Sequence, residues 1–363
     1  MSIRHYVLRR LLLVPPTLLA IVALNVLVAQ LAPGGPVEHL LATLSGDVQD
    51  AAERALGATA ADPAAEEAAL RYRGSEGLDP RLVAEIERQF GFDRPPLERF
   101  LTTMRRVLAF DLGTSLFLDR PVRDLILERL PVSVSLGLWS TLLTYLLAIP
   151  LGIALALRRG GGFDRAATAL TALAHAAPAM VVAVALLVLF AGGRFWQWFP
   201  PGGFVSAHWA ELSWPLRILD WLWHLALPVA TLVITGFASL ALLTRNLLLE
   251  EIGKTYVLLA RAKGLAPSRV LFGHVFRNAM LVVIAGLPGA LLGVLLGGGV
   301  LVEALFGLEG LGLLGIDATL SRDFPVIFGT LWITTLLGLL LHLASDLLYL
   351  AVDPRIGFEA RHG

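Results

Sequence analysis

The run VSVSLGLWSTLLTYLLAIPLGIALAL, Val132 to Leu157, carries no charged residue. An apolar helix needs roughly 20 residues to cross about 30 Å of hydrocarbon, so this stretch predicts a membrane span. Similar runs lie near residues 10 to 32, 166 to 192, 222 to 245, 279 to 302 and 326 to 350, which makes six predicted spans. The expected fold is therefore an all-α, polytopic membrane helix bundle. Arg4, Arg9 and Arg10 precede the first run as they would in a signal peptide. That run is nevertheless longer than the roughly 7 to 15 apolar residues of a cleaved leader, and it reads as a retained helix.

Composition agrees with the spans. Of 363 residues, 56% are hydrophobic and 16% charged, and the mean hydropathy is +0.72, above what a soluble core with a wetted surface allows. Lys and Arg number 29 and so do Asp and Glu, so no global field draws the chain to nucleic acid. Cysteine is absent, which excludes disulfides, thiolate catalysis and Cys-ligated metals.

Basic residues in short loops set the orientation. With the N-terminus inside, the cytoplasmic segments hold Arg4, Arg9, Arg10, Arg158, Arg159, Arg165, Arg245, Lys254, Arg261, Lys263, Arg269, Arg277, Arg355 and Arg361. The short outer loops hold only Arg194, Arg217 and Arg322. Both termini are thus expected in the cytoplasm. Trp196, Trp198, Trp209, Trp214, Trp221 and Trp223 gather on the opposite side, as an interfacial aromatic belt would. The predicted organisation is an N-terminal segment and first span (1–32), a helical periplasmic insertion (33–131), a core of spans two to six (132–350) and a cytoplasmic tail (351–363).

Within the insertion, residues 47–76 are rich in Ala, Glu, Asp and Arg and predict mobile or weakly helical chain. Asp79 and Pro80 then open a helix carrying Leu82, Val83, Ile86 and Phe90 at helical spacing, closed by Gly91. After Asp93, Pro95 and Pro96 precede a second apolar stripe of Leu97, Phe100, Leu101, Met104 and Leu108, and Asp111-Leu112-Gly113 predicts a turn. Packing as a cap on the bundle and docking a partner both fit this insertion.

The predicted cytoplasmic loop between spans four and five, residues 246–278, is more organised than a linker. Tyr256, Leu259, Ala260 and Lys263 recur at helical spacing, Gly264 is placed to end that helix, and Ser268 is placed to help start the next. Small Ala260 and Ala262 beside cationic Arg261 and Lys263 suit a groove on a partner. They equally suit a basic hairpin that anchors headgroups, and residue chemistry does not choose between the two.

Tyr256-Val257 followed by Ala260-Arg261-Ala262-Lys263-Gly264-Leu265, with His274-Val275-Phe276-Arg277-Asn278-Ala279 downstream, resembles the "EAA" loop of dipeptide, oligopeptide and nickel ABC transporter permeases. The resemblance extends to Gly91-Phe92-Asp93-Arg94-Pro95, Asp111-Leu112-Gly113-Thr114-Ser115, Arg129-Leu130-Pro131, Ile149-Pro150-Leu151-Gly152 and Val352-Asp353-Pro354-Arg355, and so covers nearly the whole chain. Pro33-Gly34-Gly35-Pro36, the extended outer loop and Arg322-Asp323-Phe324-Pro325 look most like the permease subtype of the microcin C importer. The resemblance implies a type I importer permease. It implies a second permease subunit, two cytoplasmic ATPase domains that hold ATP and Mg, and a periplasmic solute-binding protein as partners. It implies no cofactor on this chain, no enzymatic activity of its own, a place in the bacterial inner membrane, and a peptide-like solute. The docking segment carried over is Tyr256, Val257, Ala260, Arg261, Ala262, Lys263, Gly264 and Leu265. One departure stands out: where the family motif places a Glu six residues before its glycine, this chain has Leu258.

Other motifs carry no chemistry. Gly253-Lys254-Thr255 mimics the end of a P-loop, but Leu248 stands where its first glycine should be, and no strand precedes it. The eight His residues show no metal-ligand spacing, so no metal site is expected. Ionisable residues within the spans are few, and His175, Asp346 and the less central His342 are the nearest functional candidates. A stand-alone channel or an ion-coupled carrier is the alternative function, and the scarcity of intramembrane carboxylates argues against the carrier. Gly289, Gly293 and Gly297 recur every four residues along span five. They allow close helix packing, either within the bundle or against a second permease along the pathway, where His175 is a further candidate. Beyond them, Glu303, Gly307, Glu309, Gly310, Asp317 and Arg322 read as a charged, solvated outer hairpin placed to gate or receive a solute.

Overall fold

The computed structural model describes residues 3–31, 95–294 and 299–352. In chain order its helices begin with α1 (Ile3–Leu31), α2 (Pro96–Leu108), α3 (Val122–Leu157), α4 (Gly162–Ala176) and α5 (Ala179–Phe190). Then follow α6 (Trp214–Ile252), α7 (Thr255–Ala262) and α8 (Pro267–Gly293), which contains a π-helical turn at Leu271–Val275. Last come α9 (Val300–Leu305), α10 (Leu311–Leu320) and α11 (Phe324–Val352). The described residues contain no strand, and the fold is an all-α bundle.

Among the described residues α3, α6, α8 and the Phe324–Leu348 part of α11 are long and apolar enough to cross a membrane. The span expected at 166–192 is not one straight helix: α4 and α5 meet at 95°. The cause is local. A residue before proline is pushed out of the helical region, and here Ala177 (ψ 123°) and Pro178 (ψ 136°) are both extended. The amides of Val181 and Val182 then restart the helix by donating to the Pro178 carbonyl at 2.9 and 3.1 Å. The second span begins at Val122, earlier than the expected 132, and the fifth at Pro267, earlier than the expected 279, while residues 295–298 of its expected run lie outside the described residues. The expected helix from Asp79, the 47–76 segment, Gly297 and the Val352-Asp353-Pro354-Arg355 stretch beyond Val352 lie outside the described residues.

The chain divides into two units. The first comprises residues 1–11, 127–314 and 334–363, and α6 is its hub, touching α4, α5, α8 and α9. One apolar cluster joins Leu136 of α3, Ala183 of α5, Leu225 and Val233 of α6, Val302 of α9 and Phe306. A second joins Ala156 of α3, Leu248 of α6, Val257 of α7 and Val270, Val275 and Met280 of α8. In lipid, hydrophobic transfer does not pull helices together, so these contacts stabilise through close packing. Gly152 of α3 shows how close: a Cβ there would stand 2.6 Å from Thr244 Cβ and 2.7 Å from the Ala241 carbonyl oxygen of α6.

Polar links complete this unit. Asp164 of α4 holds Arg245 of α6 through two contacts of 3.0 and 2.9 Å and also accepts the Gly160 amide at 2.9 Å. Arg10 pairs with Asp346 at 2.9 Å. Glu303, expected in a solvated hairpin, is instead buried at 1% exposure. Its carboxylate accepts Ser133 Oγ at 2.9 Å and the Leu313 amide at 2.8 Å, while Ser133 Oγ accepts the Leu311 amide at 2.7 Å. A buried carboxylate needs such donors, and the start of α10 supplies one from its unpaired N-terminal amides.

The second unit comprises residues 12–126 and 315–333. Asp323, 3% exposed, accepts Ser115 Oγ at 2.6 Å and the Leu116 amide at 3.1 Å. Phe110 meets the Trp332 ring edge-on at 4.3 Å. In α2 the apolar stripe is split: Met104 is buried and Phe100 half-buried, whereas Leu97 and Leu101 are exposed.

Gly152→Ala is expected to cost about 1–3 kcal/mol by overpacking α3 against α6. A thermal melt of the detergent-purified protein reads this as a lowered midpoint, and an unchanged midpoint contradicts the packing described.

Candidate functional site: the loop between the fourth and fifth spans

Helix α6 runs to Ile252, and α7 starts two residues after Gly253, at Thr255. Its end follows from Gly264, which has φ +78° and donates its amide to Arg261 O at 2.9 Å while Leu265 donates to Ala260 O at 3.3 Å. A side chain resists that left-handed conformation and glycine does not. Ser268 does not cap the next helix as expected. Pro267 occupies its first turn, Ala266 is the capping residue, and no side chain caps it.

Helix α7 is two-sided. Val257 is fully buried among Leu248, Val270, Leu271 and Val275, and Tyr256, Ala260 and Leu265 are half-buried against the same cluster. Leu258 and Leu259 are 60% and 56% exposed, and Arg261, Ala262, Lys263 and Gly264 are exposed beside them. Leu258, at the position of the family's Glu, thus points an apolar side chain outward.

A polar joint fastens the buried side. The Tyr256 hydroxyl donates to Glu251 Oε1 at 3.1 Å and accepts from Asn278 Nδ2 at 3.2 Å. Lys254 pairs with the other oxygen of Glu251, which is itself buried. One phenol therefore links the end of α6, the first turn of α7 and the body of α8. Burial raises the Tyr256 phenol above its ordinary value of 10.0, and the hydrogen bond to Glu251 raises the Lys254 ammonium above 10.5. The phenol stays protonated and the ammonium charged throughout the physiological range.

Beyond the joint, the π-helical turn of α8 leaves Phe272 exposed at 59% and Gly273 open. Such turns cost regular hydrogen bonding and often mark functional bends. Glu251 was within reach of the sequence, since a carboxylate in the last turn of an apolar helix needs a partner. Its pairing with Lys254, three residues on, was also local, but the bridge through Tyr256 to Asn278 was not, because separate elements must fold together to make it.

The remaining candidates are scattered. His175 is exposed in the last turn of α4, beside the bend, and makes no hydrogen bond among the described residues. Gly289 and Gly293 are exposed, and a Cβ on either would meet nothing within 4 Å. Trp196 and Trp198 stack at 5.3 Å beside Phe190, and Phe199 lies 4.7 Å from Trp223, so part of the expected aromatic belt forms one cluster.

Residues 148–358 match the family model described as "Binding-protein-dependent transport system inner membrane component". The chain is 47% identical over 359 residues to the peptidoglycan transport system permease protein YejB of Agrobacterium fabrum, covering 98% of this chain and 99% of that one. It is 48% identical over 361 residues to the inner membrane ABC transporter permease protein YejB of Escherichia coli O157:H7, with the same coverage of 98% and 99%. It is 30% identical over 358 residues to the oligopeptide transport system permease protein AppB of Bacillus subtilis, covering 97% and 99%. A chain of the MetNI methionine ABC transporter, solved in inward-facing conformations, is similar at a TM-score of 0.49 and 17% identity over 64% of this chain and 98% of that one. The chain thus belongs to the binding-protein-dependent transport system inner membrane component family and is a permease component of an ABC importer.

Proposed function

We propose that this chain is one of two permease subunits of an ATP-driven importer, and that α7 docks a cytoplasmic ATPase and carries its motion into the bundle. The two-sided character of α7 supports this most directly. A headgroup anchor works through its own apolar face and needs no lock to neighbouring spans. Here Val257 and the Tyr256 joint fix one side to α6 and α8, and Leu258, Leu259, Arg261 and Lys263 are presented on the other. That exposed side fits a partner's groove. ATP-driven closure of the ATPases would displace α7, and the joint would move α6 and α8 with it.

The excess of Arg and Lys on the side of this loop supports a cytoplasmic location for it and for both termini. The open Gly289 and Gly293 face of α8 supports contact with a second permease, with His175 beside the pathway. A periplasmic binding protein would deliver the solute, with ATP and Mg confined to the ATPases. The names of the similar proteins support a peptide-like solute, including peptidoglycan-derived fragments. Microcin C-type modified peptides belong to the same chemical class.

Two outcomes test the docking role. Replacing Leu258 and Leu259 together by Asp is expected to reduce co-purifying ATPase at least about tenfold while the permease still inserts, the loss typical of apolar interface anchors. Gly264→Pro, which cannot adopt φ +78°, is expected to leave membrane insertion intact and to uncouple ATP hydrolysis from uptake. Normal uptake by this variant refutes docking through α7.

The joint is tested by itself. Tyr256→Phe removes one donor and one acceptor, and tryptic cleavage after Arg261 and Lys263 is expected to rise about fivefold, the effect of a net hydrogen bond. Because the phenol's protonation constant is raised on folding, its contribution is complete below the ordinary phenol value and is lost as pH climbs through the higher one. Cleavage of the wild type should therefore be flat between pH 7 and pH 9 in ~0.5-unit steps.

A further inference from the structure

Helices α3, α6 and α8 line a half-open cavity of about 470 Å³ within the first unit. Six hydroxyls line it: Ser140, Thr141, Thr144 and Tyr145 of α3, and Thr235 and Ser239 of α6. No Asp, Glu, Lys, Arg or His is among its lining residues. On α3, Leu138, Leu142 and Leu146, which do not line the cavity, recur every four residues and are exposed, as a lipid-facing stripe would be. The hydroxyls are therefore gathered on one face.

Where their protons go decides what this wall can bind. Ser140 Oγ donates to Leu136 O at 2.5 Å, Thr235 Oγ1 to Thr231 O at 3.0 Å, and Ser239 Oγ to Gly236 O at 3.1 Å. Tyr145 donates to Val283 O at 3.4 Å. A hydroxyl has one proton and two acceptor lone pairs, so these four groups have committed their donors to backbone carbonyls and offer acceptors to whatever enters. The wall is uncharged and largely apolar, and its hydroxyls are biased toward accepting hydrogen bonds.

We propose that this cavity is a solute-contact station that accepts hydrogen bonds from the amide N–H and hydroxyl groups of a passing peptide or peptidoglycan fragment. An acceptor wall without charge grips groups common to every such solute and is indifferent to side chains. It also holds them loosely enough to release, as a pathway must. The proposal rests on the importer reading and adds to it the chemistry by which this subunit touches its cargo.

The chain contains no cysteine, so Thr235→Cys or Ser239→Cys provides its sole thiol. In the complete transporter, with cysteine-free partners and in a bilayer, the charged reagent methanethiosulfonate-ethyltrimethylammonium is expected to label both positions and to spare Leu142→Cys. Failure to label Thr235→Cys and Ser239→Cys overturns the proposal, because the face then meets lipid or packed protein. In proteoliposomes, uptake of tri-alanine by the Thr235→Val, Ser239→Ala double variant is expected to fall about tenfold at saturating peptide, the effect of one to two hydrogen bonds. Thr235→Ser alone, which keeps the hydroxyl, should take up the peptide as the wild type does. Wild-type uptake should also exceed that of the amide-N-methylated peptide, and the double variant should lose this preference. Unchanged uptake by the double variant overturns the station and leaves the importer reading intact. A wild-type assembly that hydrolyses ATP yet moves no peptide overturns both.

Discussion

Hydrocarbon offers polar groups no hydrogen-bond partner, and this one constraint shapes the molecule at every level. It makes the bundle helical, since a helix satisfies its backbone internally. It also dictates how each polar side chain inside the bundle is used. Ser140, Thr231 and Thr235 return their protons to carbonyls one turn back. Glu303 is enclosed by Ser133 and the amide of Leu313. Asp164 meets Arg245 through both oxygens. Each arrangement removes a buried orphan that would otherwise cost on the order of several kcal/mol.

Charge is distributed accordingly. Ion pairs such as Arg10–Asp346 and Lys254–Glu251 lie near helix ends, whereas the cavity between α3, α6 and α8 has none. A fixed charge attracts one class of group strongly and repels another. Hydroxyls whose protons are already committed are a milder alternative. They keep the wall wettable at little cost to the helices that carry them.

The joint around Tyr256 follows the same economy. A phenol can donate once and accept at the same time, so one side chain can serve the carboxylate of Glu251 and the amide of Asn278 together. Backed by Val257 in the apolar cluster, it makes α7 a rigid projection of two long helices.

Uninterrupted apolar runs determined the helical membrane bundle, because span length and backbone self-satisfaction depend only on local composition. The spacing of Tyr256, Ala260 and Gly264 likewise disclosed the short surface helix and its end, since helix periodicity and a left-handed glycine are local properties. Proline at 178 was visible too, but a straight span was expected because the apolar run alone does not say whether neighbours repair the break. The structure showed that the break at Ala177-Pro178 opens to 95°, and tertiary structure alone decided the burial of Glu303 and the Glu251–Tyr256–Asn278 joint. It alone put Ser115 of one motif on Asp323 of another and gathered hydroxyls of two helices on one cavity. Ser133–Glu303, Ser115–Asp323 and Asn278–Tyr256 join residues far apart in the chain, and no periodicity encodes which helix face meets which.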